Sequence, residues 1–199
     1  MIKSLISVAV ASLLGCGIAN AADNASIEGK EKITRNGVNI FLDPNSPNKQ
    51  KYLNGEFDKS LERMKKAYEA NKNNKAVRGP APPVTQVLVL NVCSTKYGGC
   101  EYIDDNQTET RYDHDGSFFM VETAVMGYGG SNTDMATFAG NQATLYDYAG
   151  IDMNGDNIID GWQELWDISK PANTSGYFEY TARSMNAPGN SMSTGIQIK

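Results

Sequence analysis

The sequence predicts a mainly β fold: a single β-sandwich-like domain over residues 80–199, preceded by an N-terminal arm with one amphipathic helix. Three observations predict it. Beyond residue 80, short apolar runs alternate with turn signals rich in Gly, Asn, Asp and Ser, at the spacing of sandwich strands. Before it, one segment has its apolar residues at helical period. Between them lies Gly79-Pro80-Ala81-Pro82-Pro83, a stiff extended join and the best boundary in the chain.

In chain order, residues 1–21 read as a secretory signal peptide. Lys3 is a minimal positive start, residues 5–14 form an apolar stretch too short to span a bilayer, and Ala19-Asn20-Ala21 is a small-residue cleavage signal. Leu13-Leu14-Gly15-Cys16 also resembles a lipoprotein box acylated at Cys16, but Leu14 stands where a smaller residue is usual. Secretion or residence in a periplasm is therefore expected, with no later run apolar enough to cross a membrane. The arm, residues 22–79, is polar and Asn-rich up to residue 55, with Val38-Asn39-Ile40-Phe41-Leu42 its one apolar run. Phe57, Leu61, Met64 and Tyr68 then mark one face of a helix over about 57–70. Strands are expected at 87–92, 100–103, 117–126, 135–138, 143–148, 177–182 and 193–199. About 115 residues of this kind are enough for one core.

Charge separates the two parts. Residues 22–83 carry 12 basic and 8 acidic side chains, net +4; residues 84–199 carry 5 basic and 15 acidic, net −10. An acidic domain poor in cations is unsuited to phosphate backbones, so no nucleic acid is expected. A cation or a basic protein suits it better, and a carbohydrate enters only through the aromatic residues below. The helix stripe must dock to be stable. It is either a layer of the same fold or a detachable pro-segment over the acidic domain.

The sharpest motif is Asp152-Met153-Asn154-Gly155-Asp156-Asn157-Ile158-Ile159-Asp160. Asp152, Asn154, Asp156 and Asp160 fall at positions 1, 3, 5 and 9 of a calcium-loop register, with the Ile158 carbonyl at position 7. Calcium is a hard cation that takes oxygen ligands, so Ca2+ is the expected ion. Position 6 is Asn157 rather than Gly, and position 12 is Gln163, with Glu164 one step late, which weakens the site. A helix cue follows in Trp162, Leu165 and Trp166. The bland alternative is an Asx-rich turn without metal.

Other chemistry is sparse. Cys93 and Cys100 form an even pair, read as a disulfide after export. His114 is the only histidine. Between Asp113 and Asp115 it reads as a surface turn residue, and only weakly as a general base for Ser94, Ser117 or Ser131. Tyr97, Tyr102, Tyr112, Tyr128, Tyr146, Tyr148, Trp162 and Trp166 read mainly as core with polar tips, and otherwise as a sugar-stacking surface. Two functions follow as expectations. One is a secreted, calcium-stabilised binding or interaction module. The alternative is an extracellular hydrolase or toxin silenced by its arm.

Several short motifs add a resemblance. Ser94-Thr95-Lys96-Tyr97-Gly98, Asn106-Gln107-Thr108, Asp113-His114-Asp115-Gly116-Ser117, Gly176-Tyr177-Phe178-Glu179-Tyr180 and Asn190-Ser191-Met192-Ser193 resemble the YolA-like family of small secreted bacterial proteins. The likeness covers about residues 80–199 and implies one exported domain after a Pro-rich join. It transfers no catalytic residue.

Overall fold

A computed structural model describes residues 27–71, 83–129, 134–169, 175–185 and 189–199. The expected signal peptide, Cys16 and most of the Pro-rich join lie outside these residues.

The protein is mainly β, with two antiparallel sheets and few helices. Its strands are β1 (Glu31–Arg35), β2 (Val38–Leu42), β3 (Gln86–Ser94), β4 (Gly99–Tyr102), β5 (Phe119–Met126), β6 (Met135–Phe138), β7 (Asn141–Gln142), β8 (Thr144–Asp152), β9 (Gly161–Asp167), β10 (Gly176–Arg183) and β11 (Ser191–Ile198). The seven-stranded sheet has the order β1-β2-β8-β9-β5-β3-β4, and the four-stranded sheet β11-β10-β6-β7. Helices α1 (Lys49–Asn54) and α2 (Asp58–Asn71) pack on the outer face of the large sheet.

Strand alternation builds two cores, one on each face of the large sheet. Val121, Val125, Trp162 and Trp166 meet Phe178, Tyr180 and Ile196 of the small sheet. Met120, Ala124 and Leu165 point the other way, toward Leu61 and Met64 of α2. Leu61 and Met64 are buried, each contributing about 1.5–3 kcal/mol by leaving water. The helical stripe thus docks as its period requires, with Phe57 buried and Tyr68 packed at the edge.

Two sequence expectations need correction. Trp162, Leu165 and Trp166 do not open a helix: they lie in β9, a central strand paired with β5 and β8. A spacing of four residues returns a side chain to the same face in both a helix and a strand, so Trp162 and Trp166 fit either. The arm, moreover, is more than a helix on a polar tether. β2 pairs with β8, placing Ile40 opposite Ile151, and every residue of β2 is buried. The arm therefore supplies two strands of the large sheet as well as the layer that covers it. From the arm, Arg63 reaches Asp105 at 2.8 Å and donates to the carbonyls of Val89 and Ile103.

Candidate functional site

The helix-facing side of β5 carries one carboxylic acid among apolar neighbours. Glu122 follows Met120 and precedes Ala124 on that face, opposite Asn91 of β3 and Leu165 of β9. Its side chain accepts hydrogen bonds from the amides of Asn91 and Gln163. Gln163 in turn accepts from the Tyr52 hydroxyl of α1 at 3.1 Å. Burial pushes the Glu122 carboxyl up to about 7, against the opposing pull of Ser60, Gln163, Asn91 and the Lys51 charge. Burial likewise drives the Tyr52 phenol well up, helped by the charges of Glu122 and Asp147.

A cavity of about 240 Å³ opens beside this acid. Phe57 of the arm, Met120, Glu122 and Leu165 line it, with Lys51 and Phe118 at its rim. The Lys51 ammonium lies 5.6 Å from the centre of the half-exposed Phe118 ring. Ser94 and the Cys93–Cys100 disulfide form another part of the wall. The two cysteines face each other across β3 and β4 with their Cα atoms 3.9 Å apart. An apolar cavity with few polar groups and one perturbed acid is the usual form of a small-molecule site.

His114 is not a surface residue; it is fully buried. Its Nε2 lies 3.0 Å from Glu101 Oε2 and its Nδ1 3.0 Å from Ser94 Oγ. Its backbone amide donates to the Lys199 carbonyl at 2.7 Å, so the end of the chain helps to hold it in. The stacked rings of Tyr97 and Tyr112, 4.8 Å apart, lie over the site, with Tyr97 5.2 Å from the imidazole. The flanking Asp113 stays in solvent and pairs with Lys96 at 3.8 Å. Burial alone would raise the Glu101 carboxyl. Hydrogen bonds from the Arg111 amide, His114, Gln107 and the Tyr112 amide outweigh it and hold the group below its ordinary value.

The acidic loop joins β8 to β9 and is tied by its own side chains. Buried Asp152 accepts from the amides of Asn154, Gly155 and Asn157 and from the Asn39 side chain. Asn154 accepts from the Asp156 amide, Asp156 from the Ile158 amide, and Asp160 from the Met153 amide. Asn157 adopts φ 66°, the left-handed geometry that position 6 requires. Ile159 anchors the loop in the inter-sheet core. Gln163 and Glu164 are not brought to it. Gln163 faces the arm and Glu122, while Glu164 faces the small sheet beside Asp134 and Tyr180. Burial, then the Asp134 charge, pushes the Glu164 carboxyl well above its ordinary value. Among the described residues, no group of three or more His, Cys, Asp or Glu side chains is arranged to hold a metal ion. Elsewhere, in the segment after β4, Asp104, Asp105 and Glu109 are engaged with Arg111, Arg63 and Lys199.

The aromatic residues divide. Trp162 and Trp166 belong to the inter-sheet core, whereas Tyr112 and Tyr146 are about half exposed. Glu122, Glu101 and the cavity were not read from the sequence. The available signal was a single Glu inside the run Phe118-Phe119-Met120-Val121-Glu122-Thr123-Ala124-Val125.

Residues 79–198 match the family described as Domain of unknown function (DUF4879), and the chain belongs to that family. No curated protein matches the chain. Among the described residues, no helix is long and apolar enough to cross a membrane.

Proposed function

We propose that this member of the family is an exported binding module. Its cavity between the arm and the large sheet takes a small, mostly apolar molecule with a cationic or hydrogen-bonding end. The observation that carries the reading is Glu122: a buried acid, raised to about 7, on the wall of an apolar cavity of about 240 Å³. An ionisable group kept in such a place costs stability and is explained by a ligand that uses it. Calcium at the Asp152–Asp160 loop is proposed as a stabilising ion, supported by the ligand spacing and the left-handed Asn157. Export through residues 1–21 and kinship with the YolA-like proteins are proposed on the motifs quoted above.

The test is a thermal shift titration with benzylamine and with indole. Both should raise the melting temperature in proportion to the logarithm of their concentration. Glu122→Gln should abolish the benzylamine shift and leave that of indole. A carbohydrate would need the outer Tyr97–Tyr112 stack, and a basic protein the acidic surface. Maltose and polylysine therefore serve as controls. No shift with either probe at millimolar concentration would overturn the reading.

A further inference from the structure

The cavity beside Glu122 has a reactive bond in its wall. Cys93 and Cys100 pair across β3 and β4, and both line the cavity. Successive strand residues point to opposite faces, so Cys93 shares the helix-facing side with Met120 and Glu122, while Val92 and Phe119 point between the sheets. Two rows of the helix-facing side build the site. One is Cys100, Cys93 and Met120, on β4, β3 and β5. The next is Asn91, Glu122 and Leu165, on β3, β5 and β9. Asn91 joins the two rows: its Oδ1 lies 3.1 Å from Cys93 Sγ, and its amide donates to Glu122.

The disulfide is within reach of solvent. Glu56, Cys100 and Phe118 line the cavity and are exposed, so they mark its mouth. Met120, Glu122 and Leu165 line it and are buried, so they mark its floor. Cys93 is half-buried. A disulfide opens when a thiolate attacks one sulfur and displaces the other, the three sulfurs standing in line. Along the row from Cys100 through Cys93 to Met120, the side of Cys93 Sγ away from Cys100 faces the cavity floor. The displaced Cys100 sulfur then leaves on β4, the edge strand, where water stabilises a thiolate. Attack on Cys100 would instead expel the Cys93 sulfur against apolar walls, which makes it the poorer leaving group.

We infer that Cys93 is a thiol-capture site: a small thiol with an apolar body enters the cavity and forms a mixed disulfide with Cys93. The entering thiol first gives its proton to water. Its sulfur then bonds to Cys93 Sγ, the Cys93–Cys100 bond breaks, and the Cys100 thiolate takes a proton from water. The entering sulfur is oxidised and the Cys100 sulfur is reduced, so the electrons balance without a further reagent. The inference rests on the reading of the cavity as a small-molecule site and names a class of ligand for it.

The experiment uses the full folded chain with benzyl mercaptan, and with mercaptoethanesulfonate as an anionic thiol that apolar walls reject. Remaining thiols are blocked with N-ethylmaleimide, and trypsin cuts at Lys96, which separates the two cysteines. Mass spectrometry should place the benzylthio group on Cys93 and the maleimide on Cys100. At equal thiolate concentration, benzyl mercaptan should react faster than mercaptoethanesulfonate by about tenfold or more. Benzylamine, by occupying the cavity, should slow the capture. Met120→Trp, shown to be folded by its melting curve, should slow it as well. A benzylthio group on Cys100 overturns the inference, as do equal rates for the two thiols or the lack of any mixed disulfide. Thermal shifts with benzylamine and indole but no Cys93 adduct would leave the binding module standing and remove the capture site. A Cys93 adduct that favours benzyl mercaptan, without any thermal shift, would do the reverse.

Discussion

The Tyr52 hydroxyl lies 3.1 Å from Gln163 Oε1, so a helix of the arm completes a polar chain that begins on the central strand of the large sheet. Both groups are buried. Tyr52→Phe removes the donor and leaves the Gln163 oxygen without water. The expected cost is about 1–3 kcal/mol, read from chemical denaturation. An unchanged midpoint would show that the bond contributes nothing.

Glu122 gives the protein a pH-dependent stability of a defined sign. Its folded pKa is raised from 4.5 to about 7, so the folded state holds its proton more tightly than the unfolded state. The associated stability is fully present below about pH 4.5 and is lost as pH rises through about 7. The loss amounts to about 3 kcal/mol, at about 1.4 kcal/mol for each pH unit. Denaturation of wild type and Glu122→Gln should therefore diverge across this window, with the variant less sensitive to pH. Asp160, raised to about 6 by burial and by neighbouring carboxylates, acts in the same direction, so the difference between the two proteins is the quantity to measure. Parallel curves would refute the assignment.

Calcium binding predicts a reversible thermal response. A chelator should lower the melting temperature and excess calcium should restore it, with Asp156→Ala abolishing both effects. A wild-type curve that ignores chelator and calcium alike removes the ion from the description.

The disulfide closes a short loop between β3 and β4. Replacing Cys93 and Cys100 by Ala should cost about 2–3 kcal/mol, chiefly by freeing the unfolded chain. Two alkylatable thiols on the native protein would contradict the bond itself.

The docked arm makes a prediction for proteolysis. Leu61 and Met64 are buried against the large sheet, so replacing both by Asp should expose residues 58–71 to early cleavage. In the wild type this helix should resist cleavage. Equal rates in the two proteins would mean that the helix does not protect itself by docking.

The sequence was most legible where local pattern and burial agree. The stripe from Phe57 to Tyr68 and the runs at β6 and β10 bury the side that their period indicates, and the continuous apolar runs at β3 and β5 are buried on both faces. β9 was misread because Trp162 and Trp166 are four apart, a spacing shared by both periods. β2 looked like an isolated apolar run because its partner, β8, is distant in sequence. His114 was misplaced for a related reason. Its acidic neighbours are those of a turn, whereas its burial comes from Ser94, Glu101, Phe119 and the chain end, none adjacent to it in sequence. Glu122 is hidden in a strand whose other residues announce a core.

The register between β2 and β8 also sets a kinetic requirement. Asn39 pairs with Asp152, 113 residues further along the chain. The β1–β2 hairpin can close on its own, but two strands alone are marginal in water. It gains its lasting partner only after β8 exists and a very long loop has been drawn shut, an entropic cost that slows folding more than it weakens the folded state. Until then the apolar side chains of β2 lack the strand they pair beside. The first part of the chain to be made is thus among the last to be secured, and refolding rate, more than final stability, is where changes in β2 should register.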